Sequence, residues 1–387
     1  MKPTCLTGAL AAGMLFAVSL PATAFSPQWQ LAGNTTFAVT ANLAWDINRV
    51  EDPSPGMTDD EGWRRREVGL SLRKNGVFDV NAFYDLHSEQ WIDTALRIET
   101  RALFGRDLGK VRIGNAKLHA GLEGVAANRH AVFMESSAAS QVFYPGARAG
   151  VTWTLSRPDF LLDVGAYGRD FNDANAGGTQ LVRAAWTPRT PAGGQGHFGL
   201  AVMRDTPSGT VDALGEYRDA GKRWATRGIA SLNADRLVDT GTLSRVDVID
   251  RQNLQAMWLQ GPVWVHGEYF FQQTDRAAGL PGYDSHGGFV AAGWTLNATP
   301  RRLADGMLLN PRANAGEMGA ELVGRYSKVD LDADGISGGQ VTEWTVGVNA
   351  YLGPKIKVQA NYTQSRARRL GVPQTPQVLQ LRTQFYF

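Results

Sequence analysis

The 387-residue chain carries 39 lysines and arginines against 37 aspartates and glutamates, a balance that excludes the broad basic footprint of a nucleic-acid binder. After the amino terminus no stretch approaches the roughly 18 consecutive apolar residues of a spanning helix, which excludes a helical route into a membrane. Its 44 glycines, 10% aromatic content and scattered apolar residues fit many short strands joined by tight turns.

Met1-Lys2, an apolar run from about Leu6 to Leu20 and the triplet Ala22-Thr23-Ala24 read as a secretory signal peptide cut after Ala24. The mature chain is then residues 25–387, expected to be a single domain. The one cysteine, Cys5, falls inside the signal. The exported chain is therefore expected to hold no disulfide, no cysteine metal site and no thiol nucleophile.

Thr36–Asn48 alternates weakly and reads as the first strand, and Glu51–Gly62 as a polar loop broken by Pro and Gly. In Trp63–Arg73, Val68, Leu70 and Leu72 share one face, while Arg65, Glu67, Ser71 and Arg73 share the other. Asn75-Gly76 predicts a two-residue hairpin turn into Val77–Leu86. Ile92–Leu103 repeats the alternation with Asp93, Arg97, Glu99 and Arg101 on the polar face. Lys110–Gly114 does the same with Lys110 and Arg112. Asn115–Gln141 loses it, which predicts a surface loop or one folded inward. Further runs extend to the carboxyl terminus, including Arg223–Leu232, and give about sixteen to eighteen strands.

The last twelve residues set the reading of the whole. Leu379, Leu381, Thr383, Phe385 and Phe387 lie on one face; Val378, Gln380, Arg382, Gln384 and Tyr386 lie on the other. A strand greasy on one side, wet on the other and closing the chain predicts an all-β fold, a transmembrane antiparallel barrel with a long loop folded into its lumen. Such a barrel must close, because lipid offers no partner to an open edge. Trp63, Trp91, Trp186, Tyr351 and Tyr386 are candidate interfacial anchors.

Four stretches resemble the phosphate-selective porins O and P of Gram-negative outer membranes. They are Trp63-Arg-Arg-Arg with Tyr84-Asp85; Val111–Lys117 through Glu123 with Phe133-Met-Glu135 and Tyr144–Gly150; Gly267-Glu-Tyr269 with Gly319–Ser327; and Trp344–Leu352 with Lys355–Tyr362. The likeness spans most of the mature chain, though the lysine- and proline-rich start of that family's constriction loop is reduced here to Lys117. It implies a trimer of 16-stranded barrels, each with three inward-folded segments, in the outer membrane. It also implies passive diffusion of phosphate or related oxyanions such as polyphosphate.

An anion leaving water needs fixed positive charge spread over several weak sites. A ladder of inward cations supplies it: Arg65, Arg73, Arg97, Arg101, Arg112, Arg325, Lys357 and Arg382, with Lys117 from the constriction loop. Each cation is also readable as one half of a wall ion pair, such as Arg97 with Glu99 or Glu67 and Arg325 with Glu321. Arg64 and Arg66 have outward parity unless a bulge intervenes. Asp93, an acid among cations, either limits over-tight anion binding or serves as an ordinary ion-pair partner. Asp330–Gly335 starts like a calcium loop but ends in Val341 where a glutamate is needed, so no metal is expected there. The expected protein is a channel, not an enzyme, with no cofactor; its partners are the lipid bilayer, lipopolysaccharide and small anions. A general or sugar-preferring porin is the alternative, because Glu67, Glu99, Glu268, Glu321 and Glu343 dilute the positive field. An exported soluble β-sandwich is the alternative from another class.

Overall fold

Alternation of period two becomes sixteen long antiparallel strands that close on themselves. The computed structural model describes residues 27–51, 57–168, 170–172, 177–211, 217–218, 220–228, 236–314, 316–333 and 335–387. The expected signal segment lies outside the described residues, as do parts of the 51–62 loop and of the strand expected over 223–232.

The first half of the wall is β1 (Thr35–Glu51), β2 (Asp60–Lys74), β3 (Phe78–Asp85), β4 (Gln90–Glu99), β5 (Lys110–Lys117), β6 (Ala147–Ser156), β7 (Phe160–Tyr167) and β8 (Gly178–Trp186). The second is β9 (Gln195–Thr206), β10 (Val246–Gln260), β11 (Val263–Arg276), β12 (Tyr283–Leu296), β13 (Met318–Ala333), β14 (Ile336–Leu352), β15 (Ile356–Arg369) and β16 (Gln377–Tyr386). Each strand pairs with the next, and β16 pairs with β1 from Asn42↔Tyr386 to Glu51↔Gln377. Two short strands complete the sheet: Gln28–Leu31, which pairs with the start of β1, and Val372–Gln374 beside β15. No helix among the described residues is long and apolar enough to cross a membrane; the strands do so.

The outside is the apolar face. Leu70, Ile113, Val182, Leu254, Val290, Val346, Leu379 and Leu381 are all exposed there, while Val378, Gln380, Arg382 and Gln384 are buried inside. Lipid accepts the first set, and the closed interior satisfies the second. Trp63, Trp91 and Trp186 are exposed as the anchor reading expects. Tyr351 and Tyr386 are not anchors. Tyr351 is buried and donates to Glu321 at 2.9 Å, and the Tyr386 hydroxyl accepts from Asn310 at 3.5 Å.

Two local expectations change. The hairpin after β2 has three residues, Asn75–Val77, closed by Val77 N–H on the Lys74 carbonyl, with Gly76 at φ 72°. Strand β4 stops at Glu99, because Thr100–Phe104 winds into a helical turn, α1, ended by Gly105 in the left-handed region. Arg101 is therefore exposed on a turn beyond the wall rather than aimed into the lumen.

Three segments fold inward. The 118–146 loop carries α2 (Leu122–Val125) and α3 (Ala138–Phe143) across the bore. From the same end, the loop before β10 brings Trp224, Leu237 and Val238 into one apolar cluster with Val142 and Phe143 of α3. From the end where β1 starts and β16 finishes, the 297–317 segment enters as a small hairpin, Arg302–Ala304 with Met307–Leu309. Its Leu308 packs with Leu122, Phe133, Trp264 and Phe289. These contacts fill the bore on the β10–β15 side and leave space beside β1–β6.

Candidate permeation pathway

The inserted loop is held by charged groups of β1, β2, β11, β13, β15 and β16. Arg382 forms a two-pronged pair with Asp46 at 2.7 and 2.6 Å, and reaches the Met134 carbonyl at 2.6 Å and Glu135 at 3.1 Å. Arg64 forks onto the other side of Glu135 at 2.8 and 3.0 Å. Arg325 donates to Glu123 and to the Glu135 carbonyl, both at 3.0 Å, and lies over the Phe133 ring. Lys357 donates to the Arg129 and Ala131 carbonyls at 3.1 and 3.0 Å. Glu268 accepts the Leu122 and Glu123 N–H groups, so an acid caps the positive end of α2. Burial pushes the Glu135 carboxyl up, yet Arg64 first, then Arg382 and Arg65, pull it down to about 2. Removing one partner from a buried pair of this kind costs ~3–5 kcal/mol, because the other charge is left unpaired.

Arg325, Lys357 and Arg382 thus point inward, as alternation requires, but meet the loop rather than open water. Arg64 joins them through a bulge. Arg65 pairs with Ala44 and Trp63 with Trp45, so Arg64 is the extra residue and turns inward beside Arg65. Alternation alone sends Arg64 outward; the run Trp63-Arg-Arg-Arg was its only signal.

The opposite wall is different. A chamber of about 700 Å³ lies between β1–β6, the inserted loop and the tip of the 297–317 segment. Arg73, Arg97, Lys110, Arg112, Lys117 and Arg129 line it, against the carboxylates Glu67, Asp93 and Asp305. Burial pushes the imidazole of the lining His119 below its usual range, and burial with Arg129 pushes that of His130 down to about 3. Both are neutral at pH 7, and the cations outnumber the acids two to one.

Strand register places three of these cations at one level. Arg73 faces Asp79, Asp79 faces Arg97, and Arg97 faces Arg112 across successive strands. The expected ladder is therefore a belt here, with Lys117 and Arg65 further along the bore. Arg97 and Arg112 stand directly opposite, a like-charge pairing that costs stability in a sheet. Arg97 is tied to Asp79 at 2.8 Å rather than to Glu99 or Glu67. Arg112 donates to the Lys117 carbonyl at 2.8 Å, and Lys117 to the Ala126 carbonyl at 2.6 Å. Among the described residues, the side chains of Arg73 and Asp93 make no hydrogen bond or ion pair. Arg65 makes only long contacts, 3.9 Å to Glu67 and 3.8 Å to Asp85, and lines a small cavity of about 80 Å³ with Lys117 and Arg382.

Sixteen strands, an outward apolar band and a bore narrowed by an inserted loop define an outer-membrane porin channel. The chain belongs to the family of phosphate-selective porins O and P, whose family model matches residues 37–387. Family and fold are those of channels rather than enzymes. Comparison with curated proteins finds no match. Among solved structures the chain is similar to an in-vitro folded, trimer form of OmpT, an outer membrane protein of Vibrio cholerae. That likeness has 12% identity and a TM-score of 0.58 and covers 91% of this chain and 99% of that one. It is also similar to an anion-selective porin from Comamonas acidovorans, at 10% identity and a TM-score of 0.55 over 91% and 100% of the two chains. The outer membrane channel DcaP of Acinetobacter baumannii gives 10%, 0.55, 93% and 100%. At these identities the likeness concerns the fold.

Proposed function

We propose that this porin passes anions, phosphate or related oxyanions, along the β1–β6 wall. The observation that carries the reading is the six-to-three excess of cations among the side chains that line the chamber, with Asp79 and Glu99 offsetting Arg97 and Lys110. In a water-filled bore such an excess raises local anion concentration, and several partly occupied cations provide weak sites in place of one trap. The pathway residues are Arg65, Arg73, Arg97, Arg112 and Lys117, with Asp93 moderating their hold. Arg325, Lys357 and Arg382 act by fixing the loop.

Three of the five acids that favoured a general or sugar-preferring channel are engaged away from the chamber, and the other two lie at it. Glu321 pairs with Arg301 at 2.6 Å, Glu268 caps α2, and Glu343 accepts from Ser365. Glu67 accepts from Asn42 and Asn128, and Glu99 stands 3.7 Å from Lys110. We read the chain as exported by a signal cleaved after Ala24 and assembled as a trimer in contact with lipopolysaccharide. Reversal potential in planar bilayers under a KCl gradient tests the anion reading. The expected sign is that of chloride preference, and a cation preference or none overturns it.

A further inference from the structure

An aqueous bore built only for hydrated inorganic ions has no use for bare apolar surface, which costs about 25 cal/mol per Å² left in water. Yet the basic chamber is also lined by Phe83, Ile92, Met307 and Leu309, each only half-buried. Two features put apolar groups there. The Phe83 ring sits on Gly69, its cross-strand partner, where any Cβ would meet ring atoms at 2.3 Å. Glycine at 69 therefore lets the ring lie against the wall while still lining the chamber. Beside it, the register slips between Phe83↔Asp93 and Tyr84↔Trp91, so Ile92 is the extra residue of a bulge and lines the chamber next to Asp93. Met307 and Leu309 come from the other direction, on the hairpin that enters where β1 starts and β16 finishes.

We infer that the chamber favours organic anions with an apolar body, a carboxylate on an aromatic or branched hydrocarbon, over bare oxyanions of equal charge. The carboxylate meets the Arg97–Arg112 level and Lys117, while the hydrocarbon covers Phe83 and Ile92. This inference rests on the anion reading and narrows its substrate class.

The test uses purified full-length porin in planar bilayers carrying a chloride current. Sodium benzoate should halve that current at about tenfold lower concentration than sodium acetate or phosphate. Phe83→Asn with Ile92→Thr should bring benzoate to the acetate value, with reversal potential in KCl unchanged. If that double variant fails to show heat-modifiable gel mobility, Met307→Gln with Leu309→Gln replaces it with the same expectation. Equal block by benzoate and acetate in the unaltered porin overturns the inference, as does a benzoate advantage that survives a folded variant. If anion preference is present but benzoate has no advantage, only this inference falls; absent anion preference removes the reading beneath it.

Discussion

Two walls of one barrel carry arginines of the same inward parity, and their surroundings differ. On β13, β15 and β16, Arg325, Lys357 and Arg382 are buried against carboxylates or carbonyls of the inserted loop. On the chamber side, the Arg73 side chain has no hydrogen-bond or ion-pair partner among the described residues, and the Arg97 side chain stays a third exposed despite its bond to Asp79. The difference teaches that inward parity does not say whether the inside is water or protein. That depends on where a loop with no periodicity of its own comes to rest.

The largest effect that breaks this division is expected from Arg382→Ala. It leaves Asp46 and Glu135 buried beside a missing cation, a loss of ~3–5 kcal/mol. Heat-modifiability should shift to lower temperature and single-channel conductance should rise and fluctuate as the loop loosens. Acid is expected to have the next largest effect. The Glu135 carboxyl is held at about 2 against an ordinary 4.5. Its stabilisation is complete above about 4.5 and is lost as pH falls towards 2. Conductance noise measured against pH should therefore stay constant from pH 7 to about 5 and grow below it, and Glu135→Gln should show that noise at pH 7.

On the chamber wall, Arg97→Gln, Arg112→Gln and Lys117→Gln should leave gel mobility intact and move the reversal potential towards zero. Each charge contributes about 1 kcal/mol at 4 Å in water, roughly a fivefold change in local anion concentration. A smaller effect comes from salt: the same preference should weaken between 0.1 and 1 M KCl, as the screening length falls from about 10 to about 3 Å. Smallest of all, Arg204→Ala removes an exposed outer pair with Asp250 and should change neither conductance nor stability measurably.

Much of the barrel was legible because alternation is a local property. Leu379 to Arg382 sort into lipid and lumen by parity alone, and β16 closes where the chain ends. Bulges were not legible. Arg64 and Ile92 are each one residue out of phase, and nothing in their own side chains marks the slip. Arg101 was misplaced because its parity continues past Glu99 although the backbone turns helical. Which cations meet the loop and which line the chamber was also hidden. Glu135 and Glu123, which decide it, lie 71 and 202 residues in sequence from Arg64 and Arg325.

Introduced thiols compare the two walls most directly, since the only native cysteine is Cys5. Asn81 lines the chamber, whereas Thr345 is buried behind the loop, bonded to Thr363 at 2.8 Å. With Asn81→Cys and Thr345→Cys porins in bilayers, a charged methanethiosulfonate should cut the current through the first and leave the second unchanged. Equal modification, or a current cut only at Thr345→Cys, would contradict passage along the β1–β6 wall.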